Sequence, residues 1–356
     1  MKMMKLTKTL VVLLTLVGLF VLTSCGQSQI PGLEPDEPDK VDCEKNPEHE
    51  SCKDEEDDKK EEEDYPYSLG FTIYELQDNT GQLLDGYAVG NYKGEDTEVI
   101  VPAMWKEKPI IKIIDGTFEN NNKITKVVIP SSVKIFGKNV FAKCTALREV
   151  VFEGVSTLQE IPVNTFYECT ALRSFTIPAS VRKIGESAFY HCASINELVV
   201  PTTVKTIGKA AFAAMTSLNK ITLPFIGGGN SGSKDGDLLG FVFNNIYTEF
   251  TTPMTQKIDE DSTRTYYIPN ALKTIEISEG IKELGYGALS GIVSVDKIIL
   301  PSSITKFGED AFADATGLSV IAYRGDESKW TEITGRYLEG NRAILESVDI
   351  VYSYTE

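Results

Sequence analysis

Val181-Arg-Lys-Ile184-Gly185-Glu-Ser-Ala188-Phe189-Tyr-His-Cys192-Ala-Ser-Ile195-Asn-Glu-Leu198-Val-Val200-Pro201 is one unit of the repeat that decides the fold of this 356-residue chain. Its central anchor returns as Phe118, Phe141, Phe166, Phe189, Phe212, Leu289 and Phe312, at spacings of 23, 25, 23, 23, 77 and 23 residues. All but the fifth spacing fall within the window of about 20 to 50 residues that marks repeat architectures. Such a unit cannot bury its apolar face alone; it does so by stacking on its neighbours into a solenoid, which presents a long regular surface.

Counted from the anchor, apolar residues recur at +6 (Ile124, Leu147, Leu172, Ile195, Leu218, Val295, Leu318), at +9 (Val127, Val150, Phe175, Leu198, Ile221, Ile298, Ile321) and at +11 (Ile129, Phe152, Ile177, Val200, Leu223, Leu300, Tyr323). The alternation of +9 and +11 has the period of two that a short β-strand requires. Pro130, Pro178, Pro201, Pro224 and Pro301 follow at +12, where a residue without an N–H stops the strand. Around the anchor, Ala188, Phe189 and Cys192 followed by Ile195 suggest about one turn of helix or 3₁₀ under the strand. Gly137, Gly185, Gly208, Gly285 and Gly308, four residues before their anchors, suggest a tight corner that other residues would strain. The fold expected is an α+β repeat solenoid of the leucine-rich-repeat type, a curved stack of ~23-residue coils of β-strand and short helix.

This pattern resembles the BspA-like bacterial cell-surface leucine-rich repeat family. Ile177-Pro178 through Ile195, and Leu300-Pro301-Ser302-Ser303-Ile304-Thr305-Lys306-Phe307-Gly308, carry the resemblance, which runs from about Glu98 to Tyr323. Asn121, Met215, Ile292 and Ala315 replace the family's cysteine, and Ile114 and Pro162 its bend glycine. The resemblance implies an extracellular adhesion or interaction role and carries over no catalytic residue.

The regions outside the repeat predict an address. Residues 1–24 read as a lipoprotein signal peptide: a basic start, an apolar run from Leu10 to Leu22, and Leu22-Thr23-Ser24-Cys25, with Cys25 the lipidated residue. Residues 25–64 read as an acidic disordered stalk; Glu34 to Asp64 holds 17 acidic residues and 5 lysines, too little apolar matter to bury. Residues 65–97 read as an N-terminal cap, with Phe71 to Tyr74 and Tyr87 to Val89 as a hairpin about Asp85-Gly86. Residues 98–323 form the solenoid, interrupted by an insertion at 225–270 that reads equally as a binding loop or as tolerated decoration. Residues 324–356 form a C-terminal cap in which Trp330 and Ile344 to Val351 close the last coil. A net charge of −17 argues against nucleic acid as a partner.

Chemistry-bearing motifs are sparse. Of six cysteines, Cys144, Cys169 and Cys192 share the +3 position and read as a reduced apolar column, the alternative being a disulfide between rungs ~4.8 Å apart. Cys43 and Cys52 flank His49, which suggests a small disulfide loop or, less simply, a metal clip. Gly227-Gly-Gly229-Asn-Ser-Gly232 satisfies G-x-G-x-x-G, but Lys234 is misplaced and no βαβ context follows. Arg324-Gly325-Asp326 is explained by chance and a turn after the last rung. No cofactor and no enzymatic activity are expected.

The residues at +8 and +10 must point away from the core. They make two columns, Lys126, Glu149, Ser174, Glu197, Lys220 and Lys297 beside Val128, Val151, Thr176, Val199, Thr222 and Ile299. The second is a β-branched outward stripe, and an exposed stripe of that kind binds protein. The expectation is a lipid-anchored protein-binding or adhesion module at a bacterial cell surface, facing an extracellular or host protein. The alternatives are a small-ligand-binding or hydrolytic protein using 225–270, or a passive coat.

Overall fold

The computed structural model describes residues 67–229, 234–336 and 340–355. It is a solenoid whose +8 to +11 residues form a parallel ribbon. Strands β1 (Glu98–Ile100), β2 (Lys126–Ile129) and β3 (Glu149–Phe152) make one sheet. Strands β4 (Glu197–Val199), β5 (Lys220–Leu223), β6 (Thr274–Ile277), β7 (Lys297–Leu300), β8 (Val320–Tyr323) and β9 (Asp349–Val351) make another. All neighbours are parallel, as coils wound in one sense require. A second line of two-residue strands runs along the stack before each bend, such as Lys183–Ile184 beside Glu160–Ile161 and Thr206–Ile207.

Inside, the anchors form a column of stacked rings. Phe118 and Phe141 lie 5.1 Å apart at 3°, Phe141 and Phe166 5.2 Å apart at 2°, and Phe166 and Phe189 5.2 Å apart at 21°. All are buried, and burial of each stabilises by about 1.5–3 kcal/mol. Cys144, Cys169 and Cys192 are free thiols beside this column, their Sγ donating to the carbonyls of Phe118 (3.0 Å), Phe141 (3.0 Å) and Phe166 (3.2 Å). The reduced column is the arrangement found, and burial pushes the Cys144 thiol up to about 12.

The arc around each anchor corrects the expectation of a helical turn. Residues at −2 and +2 are left-handed in every coil, for example Asn139 (φ 57°) and Lys143 (φ 61°), or Asp310 (φ 55°) and Asp314 (φ 57°). The alternation splits the amides between two destinations. Ala142 and Cys144 N–H donate within the coil to Asn139 and Phe141 carbonyls, both at 3.0 Å. Asn139, Phe141 and Lys143 N–H donate instead to Val163 (3.1 Å), Thr165 (2.9 Å) and Tyr167 (2.6 Å) on the next coil. A helix would keep all its amides to itself; here half of them join neighbouring coils, which offsets the strain of non-glycine residues at positive φ.

The bend glycines are also explained differently. None of the five is left-handed. A Cβ at Gly137, Gly185, Gly208 or Gly308 would lie 2.5–2.6 Å from the carbonyl carbon of Ile114, Pro162, Gly185 or Gly285, the bend residue one coil earlier. Glycine is there because two main chains touch. Gly285 meets nothing within 4 Å, because the coil before it is replaced by the insertion.

That insertion completes the stack rather than looping from it. Phe212 N–H donates to Val242 O (2.9 Å) and Leu239 N–H to Ala288 O (3.2 Å), so Leu238–Phe243, buried except for half-buried Phe241, stands in for the missing arc. A hairpin of Thr251–Lys257 and Thr263–Pro269 flanks it. Buried Gln256 joins the two: its Oε1 accepts Gly240 N–H (2.6 Å) and its Nε2 donates to Gly287 O (3.1 Å) and Ala288 O (3.0 Å). Gly227–Gly229 likewise sits on the coil below, Ile207 N–H donating to Gly228 O (3.1 Å).

Both ends are covered. Thr72–Gln77 and Leu83–Gly90 form the expected N-terminal hairpin, but its turn is Asp78–Gln82, where Asp78 Oδ1 accepts the N–H of Thr80 (2.8 Å) and Gln82 (3.0 Å). Asp85-Gly86 lies inside the second strand, which pairs in parallel with Lys108–Ile113. At the other end, α1 (Glu327–Arg336) buries Trp330 and Ile333, and after α2 (Arg342–Leu345) the chain adds β9 to the ribbon. Buried Asn341 closes the last arc, accepting Phe312 N–H (2.8 Å) and donating to Gly308 O (2.9 Å).

Candidate functional site

The two outward columns occupy the expected ribbon positions, but their exposure divides. Glu149, Thr176, Glu197 and Val199 are exposed, Val199 at 61%, and Lys126, Val128 and Val151 are half-buried. Thr222 and Ile299, expected on the open stripe, are 8% and 1% exposed and are not available to a partner. Lys220 and Lys297 are half-buried.

Two features cover that half. Glu276, the +10 residue of β6, is buried between Lys220 Nζ (2.9 Å) and Arg324 Nη2 (2.6 Å), and Thr222 Oγ1 donates to it (3.3 Å). Arg324 leaves the end of β8 and reaches β6, with Ile299 on the strand between them. Burial alone would raise the Glu276 carboxyl, but its bonds to Lys220 and Arg324 outweigh that and hold it below its ordinary value. Beside this cluster the chain end folds back: Tyr354 N–H donates to Tyr323 O (3.0 Å), and Lys297 Nζ donates to Tyr354 Oη (2.9 Å) from above its ring. The Arg-Gly-Asp sequence is consumed here, Arg324 by Glu276 and Asp326 by Lys329 N–H (2.8 Å) at the start of α1.

The open half contains a fault. The coil leading to Phe166 is two residues longer than the other regular ones, the excess falling about Gly154-Val155-Ser156, and the next coil carries Phe175 where others have Val, Leu or Ile at +9. The Phe175 ring lies 4.7 Å from Phe166 and 5.5 Å from Phe189. Ser174–Ile177 consequently forms no strand, and among the described residues its backbone groups make no main-chain hydrogen bond to β3 or β4. A cleft of about 560 Å³ opens on the ribbon between Glu149–Ser156 and Ser174–Ser180. A second of the same volume lies on the bend side, between Ile135–Phe136 and Glu160–Pro162. Across this step the anchor arc stays continuous, and apart from it the main-chain bond among the described residues is Arg173 N–H to Arg148 O (3.4 Å) just before the ribbon.

Cys25, Cys43, Cys52 and His49 lie outside the described residues. His191 occupies a left-handed +2 position (φ 55°) beside Tyr190. Among the described residues, no group of three or more His, Cys, Asp or Glu side chains is placed to hold a metal ion, and no helix is long and apolar enough to cross a membrane. Glu276, Arg324 and Val155 were not among the ribbon residues read from the sequence. Glu276 follows from counting +10 within the resumed repeat, and Val155 from the 25-residue spacing.

A ribbon of parallel strands built from stacked apolar coils defines a leucine-rich-repeat solenoid. The chain belongs to the BspA type leucine rich repeat family, whose model matches residues 110–226 and 241–355 in six copies. No curated protein matches it in sequence. Among solved structures it is similar to a leucine rich repeat protein of T. pallidum (21% identity, 70% of this chain and 88% of that one, TM-score 0.43). It is also similar to one from Bacteroides ovatus (18% identity, 81% and 79%, TM-score 0.39) and to a leucine rich cell surface protein of Faecalibacterium prausnitzii (15%, 82% and 95%, TM-score 0.35).

Proposed function

We propose that the protein is a non-enzymatic, protein-binding or adhesion module held at a bacterial cell surface by a lipid on Cys25 and a stalk of residues 25–64, and that it meets an extracellular or host protein through the open half of its ribbon. The observation that supports this reading is the face of exposed Glu149, Thr176, Glu197 and Val199 with half-buried Val151, an outward row left open where the matching Thr222 and Ile299 are covered by the chain itself. Partly apolar strand faces rimmed by charge are the ordinary makings of a protein interface. The test is a binding screen of the full chain, detergent-solubilised, against extracellular-matrix and cell-surface proteins, with a Val151→Lys/Val199→Lys variant alongside. A saturable partner whose affinity drops at least tenfold in the variant, with the far-UV spectrum unchanged, supports the ribbon; equal affinity for every partner found sinks it. For the anchor, Cys25→Ser should move the protein from the membrane fraction to the soluble one.

A further inference from the structure

We propose that the ribbon-side cleft of the fault is a seat for an extended, uncharged segment of the partner polypeptide, which adds to the open strand edge there. The inference rests on the protein-binding reading and places its centre. Three observations carry it. Among the described residues the backbone groups of Ser174–Ile177 have no main-chain partners, the last main-chain bond before them being Arg173 N–H to Arg148 O (3.4 Å), whereas the other ribbon strands are paired; and Val150, whose side chain points inward, nonetheless lines the cleft, so the edge of β3 is reached from outside. Unpaired N–H and C=O groups along an edge are a template for another strand. At its mouth stands Val155, 85% exposed, with Val151 and Phe152 only partly buried, an apolar rim that an aliphatic side chain of the added strand would cover. The lining is otherwise hydroxyls and proline; its one charged residue is Glu149, already 3.4 Å from Lys126 Nζ.

Charge selects the occupant. An uncharged segment leaves the Glu149–Lys126 pair undisturbed. The chain's own residues 34–64, with 17 carboxylates and almost nothing apolar, would bring like charge to that rim and no side chain for the apolar one. Own-chain occupancy is thus disfavoured on the same grounds that favour an alternating Val/Thr strand from outside.

The test uses the full chain and three blocked hexapeptides: alternating Val and Thr, the same sequence N-methylated at alternate residues, and alternating Lys and Glu. N-methylation removes strand-pairing donors while leaving the side chains in place. The first peptide is expected to bind saturably, the second at least tenfold more weakly, and the third not at all. Val155→Lys, at a position too exposed to disturb the fold, is expected to weaken the first peptide at least tenfold, while Leu83→Lys, an equally conspicuous apolar-to-charge exchange at a 55% exposed position of the N-terminal hairpin, leaves it unchanged. Absence of saturable binding up to millimolar peptide, equal binding of the N-methylated form, or equal loss in Val155→Lys and Leu83→Lys overturns the proposal. The wider ribbon reading survives each of these if a protein partner still depends on Val151 and Val199.

Discussion

Val199 and Ile299 hold the same place in the repeat, on the outward face of a ribbon strand, yet one is 61% exposed and the other 1%. Repeat position fixes the direction in which a side chain points; what covers it is decided by chain that is not part of the repeat. Around Ile299 the covering comes from Arg324 and the segment about Tyr354, both beyond the last regular rung, and from Glu276 on the first rung after the insertion. Around Val199 nothing comparable arrives. A ribbon that looks uniform in sequence is therefore half open surface and half interior.

Lysine exchanges at the two positions test that contrast most strongly. Ile299→Lys buries a charge and should cost at least about 3 kcal/mol in denaturant melts, whereas Val199→Lys should stay within about 0.5 kcal/mol. Similar costs at both sites would break the comparison. Hydrogen exchange probes the fault against an intact strand: the amides of Phe175 and Ile177 should exchange at least about 100-fold faster than those of Ile221 and Leu223, a difference of roughly 2.7 kcal/mol in opening. Equal protection would mean that the ribbon is continuous in solution.

The glycine column offers a comparison of close approach with open space. Gly208→Ala should destabilise by about 1–3 kcal/mol, because its Cβ meets the main chain of Gly185, while Gly285→Ala should be neutral or stabilise by up to about 1 kcal/mol. The smallest effect concerns Glu276. Its folded carboxyl sits below the ordinary value of 4.5, so it contributes stability that is present above about pH 4.5 and is lost as pH falls through the folded value. Glu276→Gln should remove that part of the acid dependence from a pH series of melts and leave the profile at neutral pH parallel to the parent.

Most of the coil was legible in the sequence because each residue there answers to one neighbour, repeated. The +9 and +11 alternation gave the strands, and the reduced cysteine column followed from Met215, Ile292 and Ala315 sharing its position. The arc around the anchor was misread as helical because apolar spacing reports which side chains are inside and not where amides point. The bend glycines were misread because a glycine needed for positive φ and one needed for a main-chain contact look alike in one sequence. The covered half of the ribbon was not legible at all: nothing in Arg324 announces that it will cross to Glu276, a residue 48 positions earlier. The fault was half legible, as a spacing of 25 and a phenylalanine at +9, signals whose meaning depends on their falling in adjacent coils.

The anchor arc, continuous where the ribbon and the bend strip both part, also has a mechanical meaning. A pull along the stack is shared by three faces at most steps, but between Phe141 and Phe166 the hydrogen-bonded load falls chiefly on the arc, on the amides of Asn139, Phe141 and Lys143. That step is the plane along which the molecule yields first under tension. If the protein is anchored and bound as proposed above, a force drawn along the stack is felt first at that step.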